Sequence, residues 1–533
     1  MKPLKTLSLI LLTSMCSAQD PKAVVQTSAA KPNVLFIMCD DLNDWIFHPV
    51  DHPEVKTPNM DRLRNKGVSF TNAHVVTPVC GPSRKILMSG LYPHTFNNYG
   101  FKEWKKEKVL KDCVPLPQHF RNNGYNSYGT GKLFHEGKAG DFWTDYGIDV
   151  DYGPWILDKK GKPEWVHPKL YATWKDTIRY HDFSYGPLSD VPVWDHNDSP
   201  RNAGNDGWHY KNGKPFRYES QDDRDLMPDE LSAAYALKIL QQPHEKPFFL
   251  GVGFVRPHTP LFAPKEYFDM YPLESITLPP YLENDLDDCA DALRKRWLWS
   301  FEKFSKINGG GAWKEWIQAY MACVTFVDDQ LGTVLDALEQ SPYAENTIVV
   351  FSSDHGYHLG EKGAMQKWHL WEESTRVPYI IFQPDAKGNG TACDHPVTSV
   401  DLYPTLADLC GLPLDPNAGH SGLPLDGHSL RPFLQDPHTT EWSGSSVAFM
   451  ALGKSSKDAK GWALEPHQSV RSRHFRYTLC QNGEEELYDH RNDPHEWSNL
   501  AEHPEYQEEK AELKSAMKGI TRKKMNINKK ENL

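Results

Sequence analysis

Short apolar runs alternate with amphipathic stretches along most of this chain. The first run, Asn33-Val34-Leu35-Phe36-Ile37-Met38, ends in Cys39-Asp40-Asp41. Its brevity and uniform apolarity predict a buried strand that delivers two acids at its C-terminal end. A helix is expected from Thr57 onward, with Pro58 at its first position and Gly67 as its stop. A strand over 68–75 follows, and Pro82-Ser83-Arg84 opens a short helix that ends near Gly90. The alternation continues with a helix over 116–122, a strand over 125–128, a helix over 230–240 and a strand over 248–254. A long amphipathic helix is expected over 317–338. Ile348-Val349-Val350-Phe351 reads as a strand ending at Ser353-Asp354-His355-Gly356. A strand over 378–382 and a helix over 402–409 come next.

Strands separated by helices imply an α/β fold, with a large, mainly parallel sheet between helices. Ligands gather at the C-terminal ends of strands in such sheets. Both acidic pairs, Asp40-Asp41 and Asp354-His355, fall at such ends and are expected to converge. Two regions break the pattern. Residues 140–225 are rich in Asp, Pro, Gly, Trp and Tyr and read as a long insertion or set of loops that could face a substrate. Beyond about residue 435, strands over 469–480 and 486–489 are joined through a turn at Asn482-Gly483, and a charged helix follows over 504–517. The expected plan is a leader over 1–18, a linker over 19–32, a catalytic domain over 33–435 and a smaller α+β domain with a basic tail over 436–533.

Composition narrows the class. The net charge of −12 argues against a general nucleic-acid binder, although a few local cations can still hold one anionic group. Nine cysteines show neither close-paired metal spacing nor a small disulfide framework. Lys2 and Lys5 precede an apolar stretch over 7–12 and the small pair Ser17-Ala18, the layout of an export signal. That stretch is too short to span a bilayer, and no later segment is apolar enough for an integral membrane span. The protein is expected to be exported to the periplasm or beyond it. Cys16 could carry a lipid, but Thr13-Ser14-Met15 is a poor match to the sequence that directs lipidation.

The strongest motif is Cys80-Gly81-Pro82-Ser83-Arg84, followed by Leu87 and Ser89-Gly90. Taken alone, a Cys at a strand-to-helix turn is most simply a small core residue. Other elements stand beside it: Gly131-Lys132-Leu133-Phe134-His135, Phe254-Val255-Arg256-Pro257-His258-Thr259-Pro260, and Gly360-Glu361-Lys362-Gly363 followed by Lys367. Glu486-Leu487-Tyr488-Asp489, Asp493-Pro494 and Asn499-Leu500 lie near the C-terminus. With the two acidic pairs, these separated elements resemble the type I, formylglycine-dependent sulfatase family, and most nearly its iduronate-2-sulfatase branch. The resemblance runs from about residue 33 to 501, with breaks at 140–225 and in part of 280–315.

The resemblance implies an alkaline-phosphatase-like fold and a sulfuric ester hydrolase. A maturation enzyme would oxidise Cys80 to formylglycine, the nucleophile. Asp40, Asp41, Asp354 and His355, together with the group made from Cys80, would hold a calcium ion. Carboxylate oxygens suit that hard ion, whereas a His ligand is less typical of it. Lys132 and Lys367 would bind sulfate, and Arg84 would balance the carboxylates. His135 would act as base, and His258 as the acid that protonates the departing sugar oxygen. Such a cluster of cations is what the chemistry needs, because a sulfate monoester is an anion that repels nucleophiles. The implied substrate is a sulfated carbohydrate, with 2-O-sulfated uronic acid residues favoured and other polysaccharides, algal ones included, left open. Tyr185, Trp194, His196, Trp208 and His209 are candidate sugar contacts, with packing the simpler role for each. The rival readings are a phosphatase or phosphonate hydrolase on the same fold, and a non-catalytic binder of sulfated glycans.

Overall fold

A computed structural model of the chain describes residues 31–45, 54–157, 163–164, 184–190, 207–294, 301, 305, 311–453 and 466–522. The expected leader, most of the linker, Trp194 and His196 lie outside the described residues. Eight strands form the main sheet: β1 (Asn33–Asp40), β2 (Val68–Phe70), β3 (Asn126–Gly131), β4 (Asp145–Tyr146), β5 (Phe248–Pro257), β6 (Thr347–Ser353), β7 (Tyr379–Phe382) and β8 (Ala392–Cys393). Their order across the sheet is β8-β2-β7-β6-β1-β5-β3-β4. All neighbours are parallel except β7, which runs antiparallel to both β6 and β2.

The central strand shows why the apolar runs are continuous. Leu35, Ile37 and Cys39 of β1 pack into one buried cluster, and Val34, Phe36 and Met38 into another on the opposite face. A strand covered on both faces has no solvent side to alternate with. The first cluster takes in α1 (Pro58–Lys66), α3 (Pro228–Gln241) and the long α4 (Gly311–Glu339). The second takes in α2 (Cys80–Ser89) and α5 (Leu402–Leu409). Every residue of α2 is buried, and burial of side chains such as Ile86, Leu87 and Met88 contributes roughly 1.5–3 kcal/mol each.

The C-terminal region builds a four-stranded antiparallel sheet from β9 (Ala448–Leu452), β10 (His467–Arg471), β11 (Phe475–Leu479) and β12 (Glu485–Asp489), followed by α6 (Gln507–Arg522). Phe449, Val470, Tyr477, Leu487 and Leu513 share the second core cluster with the main sheet.

Three local expectations change. The strand over 68–75 breaks at Thr71-Asn72: β2 stays in the main sheet, while Ala73–His74 pairs with Val397–Thr398. The strand over 469–480 is two strands. Ser472 makes the turn, because its hydroxyl accepts the N–H groups of His474 and Phe475 at 3.3 and 3.0 Å. Strand β9 was not expected. Gly67 stops α1 as expected, in an extended conformation (φ −104°). Its lack of a side chain matters for packing: a Cβ there would lie 2.9 Å from Ile380 Cγ2 and from the Ile381 carbonyl oxygen.

Candidate active site

Four adjacent parallel strands end at one place. β6, β1, β5 and β3 deliver, in that order, Asp354-His355, Asp40-Asp41, His258 and Lys132. The α2 helix begins at Cys80 and points its N-terminus, with its partial positive charge, into the same pocket. Lys367 arrives from the loop after β6. All eight of these residues and Arg84 meet there.

Arg84 is fully buried and tethers two strand ends. Its Nε lies 2.8 Å from Asp354 Oδ2 and its Nη2 3.1 Å from Asp40 Oδ1, and it also donates to the Lys132 carbonyl. Lys132 Nζ donates to Asp40 Oδ2. Lys367 Nζ lies 2.6 Å from Asp41 Oδ1 and 3.0 Å from Cys80 Sγ. His355 Nε2 lies 3.2 Å from Cys80 Sγ and 3.2 Å from Asp41 Oδ1, while its Nδ1 meets the Gly356 carbonyl at 2.9 Å. His258 Nε2 is 4.0 Å from a carboxylate oxygen of each of Asp40 and Asp41.

Backbone strain is stored at this point. Asp41 adopts φ 65°, held there by its N–H to Asp354 Oδ1 (3.1 Å) and by Tyr320, whose hydroxyl donates to its carbonyl at 2.7 Å. β3 and β5 also come unusually close. A Cβ on Gly253 would lie 2.3 Å from the backbone C and O of Lys132, and one on Gly131 only 2.0 Å from the Gly253 carbonyl oxygen. Glycines at both positions set where Lys132 leaves its strand.

The electrostatics follow from burying so many charges together. Burial alone raises the Asp40 carboxyl, but Lys132, His258 and Arg84 outweigh it and hold the group well below the usual carboxylate range. Burial opposes charge on Lys132 and Lys367 as well, yet Asp40 and Asp41 respectively keep both ammoniums protonated. His355 loses to burial and gains more from Asp354, which lifts it to about 9. His258 and His135 go the other way, each falling to about 3, chiefly through burial.

Donor atoms of Asp40, Asp41, Cys80 and His258 all lie within 4.8 Å of one another, and so do those of Asp40, Cys80, Asp354 and His355. Three carboxylates and an imidazole around one buried point are a fitting donor set for a divalent cation. The carboxylate oxygens that an ion would share are now covered by the ammonium and guanidinium groups.

His135 stands at the rim. Its ring centroid lies 5.0 Å from that of Phe101 and within the field of Lys132, Asp40 and Arg84. Of the candidate sugar contacts, Tyr185 and Trp208 are core residues: Tyr185 bonds Glu315 at 2.5 Å, and Trp208 packs on Phe262 with centroids 5.1 Å apart. His209 bonds the backbone of Trp155 and so helps fold the insertion.

The sequence reading did not single out Tyr152, Phe101 or Trp368, and all three border the pocket. The Tyr152 ring lies 4.7 Å from Lys132 Nζ and 4.9 Å from the His258 ring. Arg256 braces that loop by donating to the Gly153 carbonyl at 2.8 Å. Nothing local in the sequence marks Tyr152, because its neighbours come from two distant strands. Trp368 adjoins Lys367, and that adjacency was the available signal.

Comparison with known proteins points to the sulfatases. The family model described as Sulfatase matches residues 32–412, and one described as the C-terminal part of N-sulphoglucosamine sulphohydrolase matches residues 360–523. A protein named Sulfatase from Formosa agariphila is 36% identical over 520 residues, covering 95% of this chain and 91% of that one. Iduronate 2-sulfatase of Mus musculus is 29% identical over 469 residues, covering 80% and 78% respectively. Two solved structures share the fold. One, described as a 2-O GAG sulfatase, has a TM-score of 0.62 at 22% identity and covers 94% of each chain. The other, a phosphonate monoester hydrolase from Silicibacter pomeroyi, has a TM-score of 0.66 at 21% identity and covers 93% of this chain and 96% of its own.

Proposed function

The chain belongs to the sulfatase family and is a sulfuric ester hydrolase, and from that premise we propose that it removes sulfate from 2-O-sulfated uronic acid residues of a sulfated glycan. The observation that carries the chemical part is the setting of Cys80 Sγ. It lies 3.0 Å from Lys367 Nζ and 3.2 Å from His355 Nε2, at a helix N-terminus among three carboxylates. The iduronate 2-sulfatase relative supports the choice of sugar. The leader-like N-terminus supports export, which would place the enzyme where such polymers are met.

Oxidation of Cys80 would place a formylglycine at the N-terminus of α2, and its hydrate would supply the nucleophile for the sulfur of the ester. Asp40, Asp41, Asp354 and His355 would hold a calcium ion, which would supply positive charge to offset that of the ester. Lys132 and Lys367 exchange their carboxylate partners for sulfate oxygens. Arg84 keeps Asp40 and Asp354 in register while they do so. His135 accepts the proton when sulfate is expelled. His258 donates one to the departing sugar oxygen. An ester anion seated beside His258 opposes the burial that keeps this ring neutral, and so favours the protonated form that donation needs.

The test is mass spectrometry of the peptide containing Cys80, from protein co-expressed with a formylglycine-generating enzyme, alongside assays of wild type and Cys80→Ala. The expected result is formylglycine at position 80, release of sulfate from 2-O-sulfated uronate oligosaccharides in preference to other sulfated saccharides and to aryl phosphate, and a folded, inactive Cys80→Ala. A fully active enzyme with an unmodified thiol would sink the mechanism. Preference for another sulfated polysaccharide in the same panel would sink the substrate assignment alone.

A further inference from the structure

Phe101 is an exposed aromatic side chain beside this chemistry. It is 37% exposed, although its ring rests on the first turn of α2, directly over Gly81. A Cβ on Gly81 would lie 2.6 Å from Phe101 Cδ1, so glycine beside the nucleophile is what lets the ring sit so low. The ring centroid is 5.0 Å from His135 and 5.9 Å from Trp368.

Trp368 is held there by an unusual backbone. Gln366 and Trp368 both adopt left-handed φ, 69° and 82°, on either side of Lys367. In an extended strand consecutive side chains point to opposite faces. Here Lys367 reaches Cys80 Sγ and Trp368, the next residue, reaches Phe101, so both serve the same pocket. Large side chains rarely adopt such a backbone, and strain of this kind clusters at ligand sites.

Resting on the sulfatase reading above, we propose that Phe101 and Trp368 form an aromatic platform that binds the apolar C–H face of the pyranose ring bearing the scissile sulfate. The cations at the pocket floor take the sulfate group. The sugar behind it must then leave past the rim, where an apolar surface is on offer and His135 supplies a polar edge. Binding sites of this kind combine an aromatic wall with a few placed polar groups.

The test compares wild type with Phe101→Ala, Phe101→Tyr and Trp368→Leu. It uses the sulfated oligosaccharide that wild type cleaves best, with inorganic sulfate as a competitive inhibitor. Sulfate needs only the cationic floor, so its inhibition constant reports whether that floor is intact. Phe101→Ala and Trp368→Leu are expected to raise KM for the oligosaccharide about tenfold, as for the loss of one aromatic contact, with the sulfate inhibition constant unchanged. Phe101→Tyr is expected to keep the wild-type KM. An unchanged KM in Phe101→Ala overturns the platform, and so does an equal weakening of sulfate inhibition. A wild type that cleaves no sulfated saccharide and ignores sulfate sinks the functional reading, and the platform with it.

Discussion

Gly253→Ala tests whether the placement of Lys132 is set by the backbone behind it. The new methyl group would lie 2.3 Å from both the carbonyl carbon and the oxygen of Lys132, where ordinary contact begins at 3.4 Å. The obstacle is backbone, so no side chain can rotate away. One strand must yield by about 1 Å, a distance that can cost 10²-fold when it misplaces a catalytic group. The hydrogen bond from Lys132 N–H to the Gly253 carbonyl, 2.8 Å long, would be strained at the same time. Overpacking a core in this way costs roughly 1–3 kcal/mol of stability, well short of unfolding a large domain. The expected outcome is a folded enzyme with a slightly lowered Tm and kcat/KM for a sulfated oligosaccharide reduced about a hundredfold. Weakened inhibition by inorganic sulfate would locate the damage at Lys132. Wild-type kcat/KM in the variant would refute the view that this glycine pair positions the lysine.

His258→Ala should slow the release of sugar alcohols far more than that of an activated aryl leaving group, because only the poor leaving group needs its proton. Steady-state rates on both esters decide this, and equal losses would remove His258 from the acid role. Stability should fall in acid through the buried cluster of Glu372, Arg376, Arg471, Arg476, His490 and Glu496. Burial works against the charge on Glu496, but Arg476 at 2.5 Å and His490 at 3.0 Å hold its carboxyl at about 2. A carboxyl depressed from about 4.5 to about 2 on folding contributes stability above the higher value and loses it as pH falls towards the lower. Urea unfolding from pH 6 to pH 3 should therefore show a declining midpoint that is shallower in Glu496→Gln; parallel curves for the two proteins would show that this carboxylate does not control the decline.

How much could be read in advance differs from residue to residue. The apolar runs of β1, β5 and β6 were legible because strands buried on both faces are mostly apolar along their middles. Asp40-Asp41 and Asp354-His355 were legible as strand-end acids, and Cys80 and Arg84 as a motif. The turn at Ser472 was hidden inside an uninterrupted β-type pattern, because it rests on one hydroxyl accepting two backbone N–H groups. The split at Thr71-Asn72 was hidden for a similar reason, since pairing partners more than 300 residues away pull the chain into two sheets.

By itself the amino-acid order determined which chemical groups were available and which end of each strand would carry them, since strand polarity and hydrophobic period are local properties. Only the tertiary structure decided their spacing. The strand order β6-β1-β5-β3 brings four loop ends side by side, and Arg84 sits at bonding distance from two of them. Tyr152, Phe101 and Trp368 joined the pocket at that level too. Their contacts are made across chain separations that no short pattern can encode. The burial that lowers His258, and the Asp354 carboxylate that outweighs burial at His355, act only once these groups are packed together out of water.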